Sequence, residues 1–237
     1  MELAISLGLA VIPSLLIVYY FRRKDRARPE PGRAVTVFFL LGLLSTLPAI
    51  IIELALGSLG SGLEASRFLY PPFKAFIIAG LVEEGLKLFL VMRFAYRKHF
   101  FDEVMDGIVI TVVAGMGFAC LENVLYVLGR GMTVGFLRAF TSVPMHASVS
   151  AIMGYHIGLS RFACSVLQRR RLLLKGFLLA VFFHGMYNLC IFAIPYWTPL
   201  IVLGLPPVLI WSILLARKLV RAALAEDAAK GRISVSP

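Results

Sequence analysis

Six ionisable side chains stand inside long apolar runs of this 237-residue chain: Glu83, Glu84, Lys87, Glu122, His146 and His184. A charge at the centre of a bilayer costs several kcal/mol, from about 3 upward, so residues of this kind are functional candidates first. Glu83 and Glu84 are adjacent. Lys87 follows Glu83 at i+4 and Glu84 at i+3, so on a helix it can pair with either. A structural ion pair between helices would need only one of the two carboxylates. Glu122 precedes Asn123 in a second run. His146 follows Thr141-Ser142-Val143-Pro144, a cap and proline that read as a helix start. Ser150 and Gly154 share its face and allow a neighbouring helix to come close. His184 and Asn188 are four apart and therefore share a face.

Carboxylate, imidazole and amide buried in an apolar wall suit the activation of water. A glutamate can take the proton, and histidine and asparagine can donate to an oxyanion. Glu83 or Glu84 is the expected base, Glu83 slightly ahead. His184 and Asn188 are read as oxyanion donors and His146 as the group that orients water or the scissile carbonyl. Glu122 is read as the residue that fixes a histidine tautomer, and Lys87 as the one that limits the charge of the pair. Peptide hydrolysis is the obvious use. No cofactor is required in this reading. The same residue types, Glu84, Glu122, His146 and His184, could instead hold Zn²⁺, although no HExxH motif is present. A proton-relaying transporter and a noncatalytic membrane scaffold are the other classes. The paired repeats and broken helices of transporters are not visible. Asp106 is read as interfacial and His156 as a packing residue, while Glu53 and His99 stand outside the set.

The elements that carry these residues follow from composition. Hydrophobic types make up 59% and charged types 16%, with a mean hydropathy of +0.87. That excess exceeds what one soluble core can hide and excludes a soluble enzyme, a coiled coil and a disordered chain. An all-α, polytopic transmembrane bundle remains. Seven spans are expected near 2–21, 34–57, 73–92, 104–128, 140–160, 173–194 and 198–216. The first is an anchor rather than a signal peptide, since no positive charge precedes it. Alternating loops place nineteen Lys and Arg on one side and four on the other, with Lys87 inside a span. By the positive-inside rule this predicts an N-out, C-in topology in the cytoplasmic membrane. The net charge of +11 then serves orientation and anionic headgroups rather than nucleic acid. Cys120, Cys164 and Cys190 lack metal-ligand or disulfide spacing and read as small apolar residues. One membrane domain, 1–237, is expected, with the motifs in 70–195, N-terminal spans in 1–57, and a last span at 198–216. The tail 224–237 is expected to fray. Counted from the span ends, the candidate residues fall near one level, in the outer half of the bilayer or close to its middle. That predicts one polar cavity among spans three to six.

Glu83-Glu84-Gly85-Leu86-Lys87, Phe118-Ala119-Cys120-Leu121-Glu122-Asn123, His146 with Ser150 and Gly154, and His184-Gly185-Met186-Tyr187-Asn188 resemble, in order, the four motifs of the PrsW family. These are bacterial intramembrane proteases related to the CAAX prenyl endopeptidase and bacteriocin-processing group. The resemblance covers about residues 70–195. It implies a multi-pass endopeptidase acting on a membrane-anchored protein with a single-pass helix, and a first, extracytoplasmic cut of the anti-sigma-factor kind. It leaves both glutamate and metal mechanisms open. The CAAX-type relatives tend to carry histidine where this chain has Glu122-Asn123, and the family includes scaffold relatives.

Overall fold

A chain surrounded by hydrocarbon must satisfy its backbone groups internally, and long apolar runs do so as helices. The computed structural model describes residues 2–25 and 28–231, and among these every long regular element is helical. The helices are α1 (Glu2–Lys24), α2 (Gly32–Leu59), α3 (70–95), α4 (Val104–Arg130), α5 (Met132–Phe140), α6 (Ser142–Arg161), α7 (Val166–Phe192) and α8 (Leu205–Ala229). Among the described residues, five helical segments are long and apolar enough to cross a membrane, beginning at Ile5, Gly32, Val104, Val166 and Pro199. The other two expected spans, 73–92 and 140–160, are also helical. The first of them lies within α3, which alternates α turns at Tyr70–Pro72 and Val82–Leu90 with wider π turns at Phe73–Leu81 and Val91–Ala95. Such widened turns often accompany functional positions.

α4 is the axis of the bundle and packs against α1, α2, α6 and α8. Its N-terminus is closed from two directions. The Asp106 carboxylate accepts the backbone N–H groups of Asp102 (2.8 Å) and Glu103 (2.7 Å). Asp227 of α8 accepts those of Val104 (2.8 Å) and Met105 (2.9 Å). These bonds satisfy four donors at the helix entrance. Against α6 the approach is close because side chains are missing. A Cβ on Gly154 would collide with the Gly107 carbonyl, and one on Gly107 with the backbone of Gly154 and Gly158. Backbone contact of this kind lets α6 present His146 directly to α3 and α4.

Three expectations need correction. The expected loop 129–139 contains α5, which follows a turn at Gly131, whose φ of 85° suits glycine. α7 starts at Val166 rather than 173, because Ser165 caps it by accepting the Gln168 N–H (3.1 Å) and the basic turns continue the helix. The tail is not frayed at its start: α8 runs to Ala229, and Asp227 is fully buried. Residues 232–237, with Arg232, lie outside the described residues, as does Arg26 of the first basic loop.

Candidate active site

Glu83, Glu84 and Lys87 occupy one turn of α3 and are all buried. Lys87 Nζ donates to Glu84 Oε1 (2.7 Å) and lies 3.9 Å from Glu83 Oε2. Its third neighbour is His146 Nδ1 on α6, at 3.0 Å. The ammonium also sits 4.9 Å from the centre of the Phe118 ring. Lys87 therefore joins three helices rather than pairing only along its own.

Both imidazoles are oriented by carboxylates. His184 Nδ1 bonds Glu84 Oε1 at 2.8 Å, and His146 Nε2 bonds Glu122 Oε2 at 2.9 Å. Ionised carboxylates only accept, so the proton lies on Nδ1 of His184 and on Nε2 of His146. This agrees with Lys87, a pure donor, facing Nδ1 of His146. The lone pair on His184 Nε2 then points toward Glu83 Oε1, 3.8 Å away. The two rings meet edge to face with centroids 5.0 Å apart. Glu83 Oε2 is buried and has no hydrogen-bond partner.

Five of the six candidate residues thus converge: Glu83, Glu84, Glu122, His146 and His184. Asn188 is half-buried and makes no hydrogen bond to the others among the described residues. His156 donates through Nδ1 to the Ile152 carbonyl (2.8 Å), a packing contact, as its sequence position suggests. Two residues were not foreseen here. Arg138 of α5 pairs with Glu122 (2.8 Å), donates to Asn123 Oδ1 (2.7 Å) and lies over the Tyr126 ring. Glu53 of α2 lines the same cavity as Glu83 and Glu122, so its exclusion from the set does not hold. That cavity, about 340 Å³, opens between α2, α3 and α4. A Glu at the end of a span and an Arg in a short loop carry no sequence signal beyond topology.

One ligand atom each from Glu83, His146 and His184 lies within 4.8 Å of the others. Two imidazoles and a carboxylate suit Zn²⁺, and a second carboxylate behind each histidine is the usual support for such ligands. The orphaned Glu83 oxygen and the buried Nε2 lone pair of His184, 3.8 Å from Glu83 Oε1, fit the demand of a cation.

A helical membrane protein with carboxylates, imidazoles and one ammonium gathered beside an internal cavity belongs to the class of intramembrane enzymes. Residues 30–216 match the family described as PrsW family intramembrane metalloprotease. "Protease PrsW" of Geobacillus kaustophilus (strain HTA426) is 39% identical over 193 residues, covering 81% of each chain. The proteins of the same name from Bacillus subtilis (strain 168) and Clostridioides difficile (strain 630) are 34% and 32% identical over 193 and 209 residues. They cover 81% and 86% of this chain and 84% and 86% of their own. No solved structure matches the chain. The chain belongs to the PrsW family and is an intramembrane peptidase.

Proposed function

We propose that the chain is an endopeptidase that cuts a membrane-anchored, single-pass protein in the outer half of the cytoplasmic membrane, with Glu83 as the general base. The observation that carries this reading is the convergence of Glu83, His146 and His184 within 4.8 Å beside a cavity that Glu83 itself lines. Glu83 takes a proton from water. Glu84 holds His184 by Nδ1, so its Nε2 faces Glu83 and the reacting centre. Glu122, itself paired with Arg138, holds His146 by Nε2. With both ring N–H groups committed, a neutral imidazole has nothing to donate to an oxyanion. The Lys87 ammonium, 3.0 Å from His146, is the better candidate for that role than His184 or Asn188. A first cut in an anti-sigma factor is the substrate reading that accompanies the outer-half depth.

A zinc-dependent form is supported by the same three donors and by the family's description as metalloproteases. Glu83, His146 and His184 would hold the ion, rather than the set with Glu84 and Glu122 expected from the sequence, since those two carboxylates bond the histidines; when bound, zinc would polarise a carbonyl and lower the pKa of bound water. Lys87 against His146 Nδ1 speaks for the metal-free form. The test is cleavage of a single-pass reporter in liposomes. Glu83→Gln and His184→Ala should each abolish it at unchanged membrane abundance; full cleavage by both would overturn the proposal. Full activity in strong chelator would exclude the zinc form, whereas loss restored selectively by zinc would replace the metal-free form.

A further inference from the structure

At the opposite end of α4 lies a second group of buried acids. Asp25 and Glu30 come from the connection between α1 and α2, and Asp106 from the first turn of α4; one oxygen of each lies within 4.8 Å of the others. They are 1%, 3% and 2% exposed. Glu103, adjoining this group, is fully buried and forms a capping box with Asp106, its side chain facing the Asp106 N–H and the Asp106 carboxylate accepting the Glu103 N–H. Among the described residues, no N–H or hydroxyl donates to either oxygen of Asp25 or of Glu30, and the two carboxyls lie close enough to share a proton. Among the described residues, the ion pairs on this region are those of Arg28, with Asp102 at 3.5 Å and Glu103 at 3.6 Å. Arg28 is half exposed and pairs with neither Asp25 nor Glu30. Asp106 already accepts two backbone N–H groups, which leaves its other oxygen for a ligand.

Buried carboxylates without counter-charge are not tolerated cheaply. The group must hold either protons or a cation. Oxygen donors alone select hard ions over zinc.

We propose that Asp25, Glu30 and Asp106, with Glu103 beside them, form a binding site for one hard divalent cation of the Mg²⁺/Ca²⁺ class. The ion ties the α1–α2 connection to the N-terminus of α4, where Asp227 brings in α8. The site is separate from Glu83 and the histidines and does not depend on the proteolytic reading.

The experiment uses the full chain purified in detergent and stripped with EDTA. Millimolar MgCl₂ or CaCl₂ should raise its thermal midpoint by about 5 °C, and NaCl of equal ionic strength should not. Glu83→Gln should keep the shift. The double variant Asp25→Asn/Glu30→Gln should lose it while melting, in EDTA, at or above the wild type, because the crowding of buried carboxyls is relieved. Mn²⁺ titration followed by electron paramagnetic resonance should give one site per chain in Glu83→Gln, whatever the folding of the double variant. An equal shift in wild type and double variant, or no Mn²⁺ bound by the Glu83→Gln protein, would overturn the proposal; the latter would mean that the carboxyls hold protons.

Discussion

Toward the C-terminal half of α4, Glu122 faces Arg138 and His146, and across the cavity wall Glu84 faces Lys87 and His184. At the N-terminus of the same helix, Asp25 and Glu30 face chiefly other carboxylates. Both groups are buried, yet among the described residues one has Lys87 and Arg138 paired with its carboxylates, and in the other no cation pairs with Asp25 or Glu30. The difference teaches where each group gets its stability. A matched network fixes tautomers and ring positions from inside the protein, which a reaction centre needs before substrate arrives. A group whose carboxyls meet no cation among the described residues can be balanced by shared protons or by the proposed ion. Within the matched network Glu83 Oε2 and Glu84 Oε2 are both buried without a hydrogen bond among the described residues, and of the two glutamates only Glu83 lines the cavity.

The largest effect expected from breaking this contrast is on cleavage. Glu83→Gln should lower the rate by about 10²–10⁴-fold, the usual worth of a general base, with little change in thermal midpoint. Glu84→Gln should lose both activity and stability, since it strips Lys87 and His184 of a shared partner. A single-turnover assay beside a melting curve separates the two. Equal destabilisation by both variants would show that Glu83 is a structural carboxylate like its neighbour.

Lys87→Met comes next. Removing one partner of a buried pair costs about 3–5 kcal/mol, because Glu84 is left uncompensated. Denaturant unfolding in mixed micelles should register that loss. Asp25→Asn, measured in chelator, should move the other way by about 1 kcal/mol, since it relieves the crowding of buried carboxyls and, among the described residues, strands no cation. Opposite signs for two neutralising substitutions are the sharpest reading of the comparison. A loss from both would mean that Asp25 also has a matched partner.

How much of this was legible in the sequence depends on periodicity against partnership. All seven apolar runs are helical, because membrane-length hydrophobic runs admit few alternatives. Their ends were less legible. Gln168 to Arg171 look like loop by hydropathy, yet Ser165 caps them into α7. Cost told that Glu83, Glu84, Glu122, His146 and His184 matter, and spacing on each helix told which face they share. Neither could tell that Glu122 meets His146 rather than His184, because that depends on how helices 24 residues apart in sequence cross. Asp25 and Glu30 were hidden by the arginines around them, which read as a topology signal.

The smallest effect concerns Glu53. It is half-buried on α2 and lines the cavity with Glu83 and Glu122, but forms no hydrogen bond with either among the described residues. Its carboxylate therefore acts on the site only through the cavity they share. Glu53→Gln should leave the melting point unchanged and shift the apparent KM for the reporter about threefold, with kcat nearly constant. Such a split is the signature of a group that meets substrate on the way in and contributes equally to ground and transition states. A fall in kcat without change in KM would instead draw Glu53 into the network around Glu83, and the matched group would then extend onto α2.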